Sequence, residues 1–186
     1  MRSLVRLARE SDLPAINTIY NHYVAHSTCT YQTEPSTAAE RAKWFHEHHT
    51  TLRLEGKADD SGNLAAWRPQ YPITVAIHPE RPEEILGWAS LNPFHPRAAY
   101  KFTAENSVYV HHAHHRQGIG RALLADLCIR ADALGFRSII ALISADQVAS
   151  MALHRSFGFV DAGFLRNVGH KFNRWLDVAY LQRSPD

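Results

Sequence analysis

Cysteine is scarce in this chain: Cys29 and Cys128 are its only two in 186 residues. They show neither metal-ligand nor redox spacing, so a disulfide framework and a zinc knuckle are both excluded, and two thiols of a reducing compartment are expected. No apolar run approaches the length of a membrane span, and the first residues contain no apolar leader core, so a cytoplasmic location with no membrane partner is expected. Excess charge is also lacking. Twenty Lys and Arg stand against 18 Asp and Glu, a formal net charge of +2. Without a dense basic stripe, no nucleic-acid partner is expected. No internal repeat is present. What remains is ordinary for one globular domain over residues 1–186: 45% hydrophobic and 20% charged residues, in a chain long enough to bury its own core. Thirteen histidines are the one unusual count.

The most informative stretch is Arg116-Gln117-Gly118-Ile119-Gly120-Arg121. The run before it, Thr103–Val110, is rich in Thr, Val and Tyr and reads as a strand. The run after it, residues 120–134, carries Leu123, Leu124, Leu127, Ile129 and Leu134 among charges and reads as an amphipathic helix. A glycine turn that opens a helix can present free backbone N–H groups to a phosphate, with Arg116 and Arg121 adding positive charge. The same pattern also fits a plain strand-to-helix junction. It is not a Walker loop, because the Gly-Lys-Ser/Thr ending is absent. It is not a dinucleotide fingerprint either, because Leu123 stands where a third glycine belongs.

Arg/Gln-x-x-Gly-x-Gly/Ala is the acyl-CoA pyrophosphate loop of the GNAT superfamily of N-acetyltransferases, and residues 116–121 resemble it. Further blocks resemble the phosphinothricin and methionine sulfoximine N-acetyltransferase branch: Asn21-His22-Tyr23, Thr33-Glu34-Pro35, Arg97-Ala98-Ala99-Tyr100, Thr103 through Val110, Leu153-His154 and residues 169–178. They lie in order across nearly the whole chain. The resemblance implies an α/β (α+β) GNAT fold: a mixed, mostly antiparallel central sheet, splayed at the acetyl-CoA site and flanked by about four helices. It also implies a homodimer, acetyl-CoA as co-substrate and no metal.

Periodicity places the other elements. Residues 4–8 read as an edge strand. A helix capped by Ser11 carries Leu13, Ile16, Tyr20, Tyr23 and Val24. Thr37 with Glu40 forms a capping box for a second helix with Trp44, Phe45 and His48. Periodicity fails over residues 51–71, where Gly, Asp, Ser and Asn cluster, and the family crosses this region with fewer residues, so a loop insertion is expected. Strands are expected at Ile73–Ile77, 85–91, 138–143, 160–168 and 175–181, with a helix over 146–157 ended by Gly158.

The resemblance assigns roles. Val108, Tyr109 and Val110 would offer main-chain hydrogen bonds to the pantetheine, and Arg116, Gln117, Gly118, Ile119, Gly120 and Arg121 would cradle the pyrophosphate. Gln147 stands where the family has a cofactor-touching asparagine; the alternative is a solvent-facing first-turn residue. Glu105 matches the catalytic base, which an acceptor ammonium requires because it has no lone pair; the alternative is a carboxylate paired with Lys101 or Arg97. Arg97, Tyr100 and Thr103 would hold an acceptor's carboxylate or phosphinate, with Tyr23 and Thr33 closing the pocket. His154 would protonate the departing thiolate or order the site. His111, His112, His114 and His115 form a tract in which adjacent side chains diverge, so no metal is expected there. His46, His48 and His49 read as a solvated helix face.

The expected reaction is direct transfer of acetyl from acetyl-CoA to the α-amine of a small amino acid analogue, phosphinothricin-like or methionine sulfoximine- or sulfone-like, in a ternary complex. Two other readings stay open. One is a peptide N-terminus or lysine as acceptor, and the other is a CoA-binding sensor without catalysis.

Overall fold

The computed structural model of the chain describes residues 4–50 and 71–184. Seven strands form one sheet in the order β1-β2-β3-β4-β5-β7-β6. They are β1 Leu4–Leu7, β2 Ile73–Ile77, β3 Ile85–Pro93, β4 Thr103–Val110, β5 Ser138–Ser144, β6 Val160–Lys171 and β7 Arg174–Arg183. Every neighbouring pair is antiparallel except β4–β5, which is parallel. The helices are α1 Leu13–His26, α2 Ala38–Thr50, α3 Ile119–Ala133 and α4 Val148–Arg155. Among the described residues no helix is long and apolar enough to cross a membrane.

The sheet separates two cores. On one face Ile16 and Ile19 of α1 and Phe45 of α2 pack on Ile73, Val75 and Trp88. On the other, Leu123, Leu124 and Leu127 of α3 pack on Leu86, Ala89, Leu91, Ala104 and Ile139. The i, i+3, i+4 spacing of these residues brings each set to one side of its helix. Burying such side chains contributes roughly 1.5–3 kcal/mol each, which holds both layers on the sheet.

Local expectations and structure differ at four places. Ser11 does not cap α1; it lies in a 3-10 turn, and Asp12 occupies the cap position. Asp12 accepts the Arg9 N–H at 2.7 Å and a two-pronged pair from Arg6 at 2.7 and 2.9 Å, so a buried carboxylate ties β1 to α1. His48 is buried rather than solvated, with its ring between the Trp44 carbonyl and Asn92. Ile129 is exposed, and Cys128 and Ala131 take the inward positions. Tyr71 is buried against Phe136. The rest of the expected insertion lies outside the described residues. The capping box at Thr37 and Glu40 forms in both directions, with Glu40 N–H to Thr37 Oγ1 at 3.2 Å and Thr37 N–H to Glu40 Oε2 at 2.8 Å. Helix α4 ends at Gly158 in a Schellman arrangement, the Phe159 N–H reaching the His154 carbonyl.

Candidate active site

Strands β4 and β5 pair only through Thr103, Ala104 and Glu105 against Ser138, Ile139 and Ile140. Beyond these residues they part, because β4 stays in register with β3 to Val110 while β5 stays with β7 to Ser144. The sheet is therefore splayed, and the gap opens immediately after Glu105. The phase of the β3–β4 ladder decides which backbone groups face it. His111 N–H donates to the Leu86 carbonyl at 2.8 Å. By antiparallel alternation, residues 105, 107 and 109 also bond toward β3, and Asn106, Val108 and Val110 turn their N–H and C=O groups toward the gap. Tyr109 thus gives its backbone to the sheet, while its ring stacks on Trp88 at 4.7 Å. The Val110 carbonyl is taken by the Tyr23 hydroxyl, which in turn lies 2.6 Å from His115 Nε2. Burial pushes the Tyr23 pKa up to about 12, so it remains a donor. Tyr23 fastens the end of β4 and does not line the pocket.

At the mouth of the gap, Gly118 sits at φ +81° and caps α3. A side chain there would have open space, so the requirement for glycine is conformational. The first helical hydrogen bond is Ala122 N–H to the Gly118 carbonyl at 3.0 Å. This leaves the N–H groups of Gly118, Ile119, Gly120 and Arg121 outside the helical ladder, at the positive end of the helix dipole. Gly120 lies close to Val110 and Leu153, which seats the turn against β4. Arg116 and Arg121 are exposed beside it, and Gln117 is half-buried. These orphan donors and the unpaired β4 edge fit a pyrophosphate with an amide-bearing arm.

A cavity of about 560 Å³ runs through the gap. Glu105, Ser107 and Tyr109 line it from β4, Trp88, Ser90 and Asn92 from β3, and Ala141 to Ser144 from β5. Gln147, Ser150 and His154 line it from α4 and its start, and residues of the 27–32 segment and of α2 complete it. The Glu105 carboxylate has no hydrogen-bond or ion-pair partner among the described residues, so the Lys101 or Arg97 pairing does not form. Burial raises its pKa above the ordinary carboxylate value. A lone carboxylate, half-buried and turned into a cavity, is suited to taking a proton.

His154 is 4% exposed, and both its ring nitrogens are engaged. Nδ1 faces the Ser150 carbonyl at 2.8 Å, and Nε2 faces the Asn106 amide nitrogen at 2.9 Å. A carbonyl only accepts, so Nδ1 bears the hydrogen, and Nε2 accepts from Asn106. Burial lowers the His154 pKa, which keeps the ring neutral. Gln147 is half-buried and tethered: its amide donates to Thr28 Oγ1 at 3.0 Å and to Asp146 at 3.2 Å. Lys171, 4% exposed, donates to the carbonyls of Ser27 and Thr30 at 2.7 and 2.8 Å, which fixes the loop carrying Cys29 and Thr30 along the cavity wall.

All five expected acceptor contacts, Tyr23 among them, lie outside the cavity lining. Arg97 and Tyr100 flank an exposed 3-10 turn, where Tyr100 packs on Phe94 and His95. Thr33 is exposed, and Thr103 is half-buried at the start of β4. Sequence reasoning missed Arg41, which lines the cavity on a face shared with Trp44, Phe45 and His48. A charged residue within that i, i+3, i+4, i+7 stripe was the available signal. Among the described residues no group of three or more His, Cys, Asp or Glu could hold a metal ion.

The profile of the Acetyltransferase (GNAT) family matches residues 16–159. A phosphinothricin N-acetyltransferase of Alcaligenes faecalis is 38% identical over 96% of this chain and 81% of its own length. An L-methionine sulfoximine/L-methionine sulfone acetyltransferase of Pseudomonas paraeruginosa is 35% identical over 100% of this chain and 96% of its own. Among solved structures, a phosphinothricin acetyltransferase from Sinorhizobium meliloti in complex with acetyl-CoA superposes with a TM-score of 0.84. It is 35% identical and covers 99% of this chain and 89% of its own.

Proposed function

Because the chain belongs to the GNAT acetyltransferase family, we propose that it transfers acetyl from acetyl-CoA to the α-amine of a small amino acid analogue. The observation that carries the reading is Glu105: a half-buried carboxylate, without a partner among the described residues, at the point where β4 and β5 separate. The names of the relatives support the acceptor class.

Acetyl-CoA supplies an activated thioester. The residues of this chain bind, orient and move protons around it. The free N–H groups from Gly118 to Arg121 take the pyrophosphate, and the backbone groups of Asn106 and Val108, with the Val110 N–H, are offered to the arm. An acceptor ammonium loses its proton to a Glu105 carboxylate oxygen, directly or through a water, and its lone pair is then free to attack the thioester carbonyl. The N–C bond forms and the C–S bond breaks; of the two protons the nitrogen gives up, the one held by Glu105 passes to solvent and the second, released as the amide forms, goes to the departing thiolate directly or through water. His154 presents no proton to the cavity, since its only N–H is bound to Ser150. Its role in this reading is to hold Asn106, and with it the edge of β4, through the 2.9 Å contact. Glu105 lines the same cavity as Asn106 and Val108 of the β4 edge, which supports transfer within one ternary complex.

On the outer sheet edge, Val160, Phe164, Leu165, Val168 and Trp175 are exposed. We read this strip as the surface covered by a second copy in a homodimer. The test of function is a turnover screen that follows release of the CoA thiol across free amino acids, their sulfoximine, sulfone and phosphinic analogues, and short peptides. Transfer to peptides but not to free amino acids would overturn the acceptor class. Tight acetyl-CoA binding with no transfer to any amine would overturn catalysis.

A further inference from the structure

Arg41 is 6% exposed, yet among the described residues it has no acidic partner. Its guanidinium lies over the rings of Tyr20, Trp44 and Trp88, at 4.5, 4.8 and 5.7 Å from their centroids. Its Nε donates to Asn17 Oδ1 at 3.2 Å, and its two terminal NH2 groups make no hydrogen bond among the described residues. The neighbouring Glu40 is committed to the α2 cap through Thr37. A buried cation without an anion is costly, and aromatic faces offset only part of that cost. Arg41 nevertheless opens into the same cavity as Glu105.

The register of β3 and β4 sets the two groups apart along it. Glu105 pairs with Asn92, while Trp88, beneath Arg41, pairs with Tyr109. The interval of four residues along β4 amounts to about 13 Å at roughly 3.3 Å per residue. An α-carboxylate shares its carbon with the amine being acetylated, so it cannot reach Arg41 while the amine is at Glu105. An oxygen at the far end of the side chain can.

Resting on the proposed acetyl transfer to α-amino acids, we infer that Arg41 is a specificity residue: it receives the oxo or oxyanion group that terminates the acceptor's side chain. The planar fork of a guanidinium suits two oxygens on one phosphorus, sulfur or carbon atom. The aromatic walls of Tyr20, Trp44 and Trp88 hold that fork flat and keep it dry.

Methionine and methionine sulfone provide the test, because they differ only in the two terminal oxygens. The wild type should favour the sulfone in kcat/KM by roughly 10- to 100-fold, the range of hydrogen bonds to a charged group. Arg41→Met should flatten that preference by raising KM for the sulfone, with methionine little changed, and Arg41→Lys should keep part of it. A preference unchanged in Arg41→Met, or an equal loss for both acceptors, would overturn the inference. If Arg41→Met does not fold, wild-type tryptophan fluorescence decides, since Trp44 and Trp88 touch the guanidinium. A response to the sulfone and not to methionine at equal concentration supports the inference, and equal responses refute it. Acetylation of amino acids that is indifferent to Arg41 would sink this inference alone. A wild type that acetylates no amino acid would sink the proposed function as well.

Discussion

Replacing Glu105 by glutamine separates activity from stability in an unusual direction. The substitution keeps size and shape while removing the charge and the basic oxygen. General-base catalysis contributes about 10²–10⁴ in rate, so kcat should fall by that factor, equivalent to roughly 2.7–5.5 kcal/mol of barrier. Stability should move the other way. Burial raises the Glu105 pKa and, among the described residues, no cation pairs with it, so the folded state favours the protonated form. The stability it allows is fully present below the unfolded carboxylate value and is lost as pH rises through the higher folded value. At neutral pH the wild type therefore carries a small penalty that glutamine lacks. Discounted for the partial exposure of the group, it is at most about 1 kcal/mol. For a chain of this length that corresponds to a melting temperature higher by about 2–4 °C or less. Thermal melts of both proteins from acid to neutral pH should show the gap open as pH rises. The wild-type kcat profile should show an acid limb above the ordinary carboxylate range that disappears in the variant. Undiminished turnover in Glu105→Gln would refute the assignment of the base. A variant less stable at neutral pH would refute the account of an unpaired carboxylate.

Three further outcomes follow from the packing. A methyl group at Gly87 would lie 2.8 Å from the Tyr109 carbonyl oxygen and 3.1 Å from the Val110 Cα. Backbone cannot swing aside, so Gly87→Ala should cost about 1–3 kcal/mol and weaken acetyl-CoA binding by moving β4, as calorimetry and a CoA titration would show. Lys171→Met removes the cation that gathers the Ser27 and Thr30 carbonyls. It should lower stability by roughly 2–4 kcal/mol and raise the acceptor KM more than that of acetyl-CoA, measured by melts and initial rates. His154 has a lowered pKa in the folded state, so the stability of its neutral ring is present above the ordinary histidine value and declines as pH falls below it. Melting temperatures of wild type and His154→Gln should accordingly converge on acidification.

Much of this molecule was legible residue by residue. The glycine turn, the strand before it and the helix after it were readable because turn chemistry and periodicity are local properties. The capping box at Thr37 and the stop at Gly158 were readable for the same reason. The start of α1 was not, because both Ser11 and Asp12 can cap, and the choice fell to Arg6 reaching back from β1. His48 was misjudged because its partner, Asn92, lies far along the chain on β3. Lys171 was matched to the family's C-terminal block without a role, since its acceptors are carbonyls at the end of α1 and in the segment that follows it.

The sequence by itself determined the donor side: a helix N-terminus whose free N–H groups follow from the chain's own geometry, preceded by a strand able to carry a catalytic carboxylate. Only the tertiary structure decided what surrounds that carboxylate. The parting of β4 and β5 depends on two separate pairings, with β3 and with β7, and no local pattern encodes the place where they cease to agree. The lack, among the described residues, of a cation beside Glu105 and of an anion beside Arg41, and the neutral ring of His154, are likewise properties of neighbours distant in the chain. Burial sets each of their charges, and burial exists only once the chain has folded.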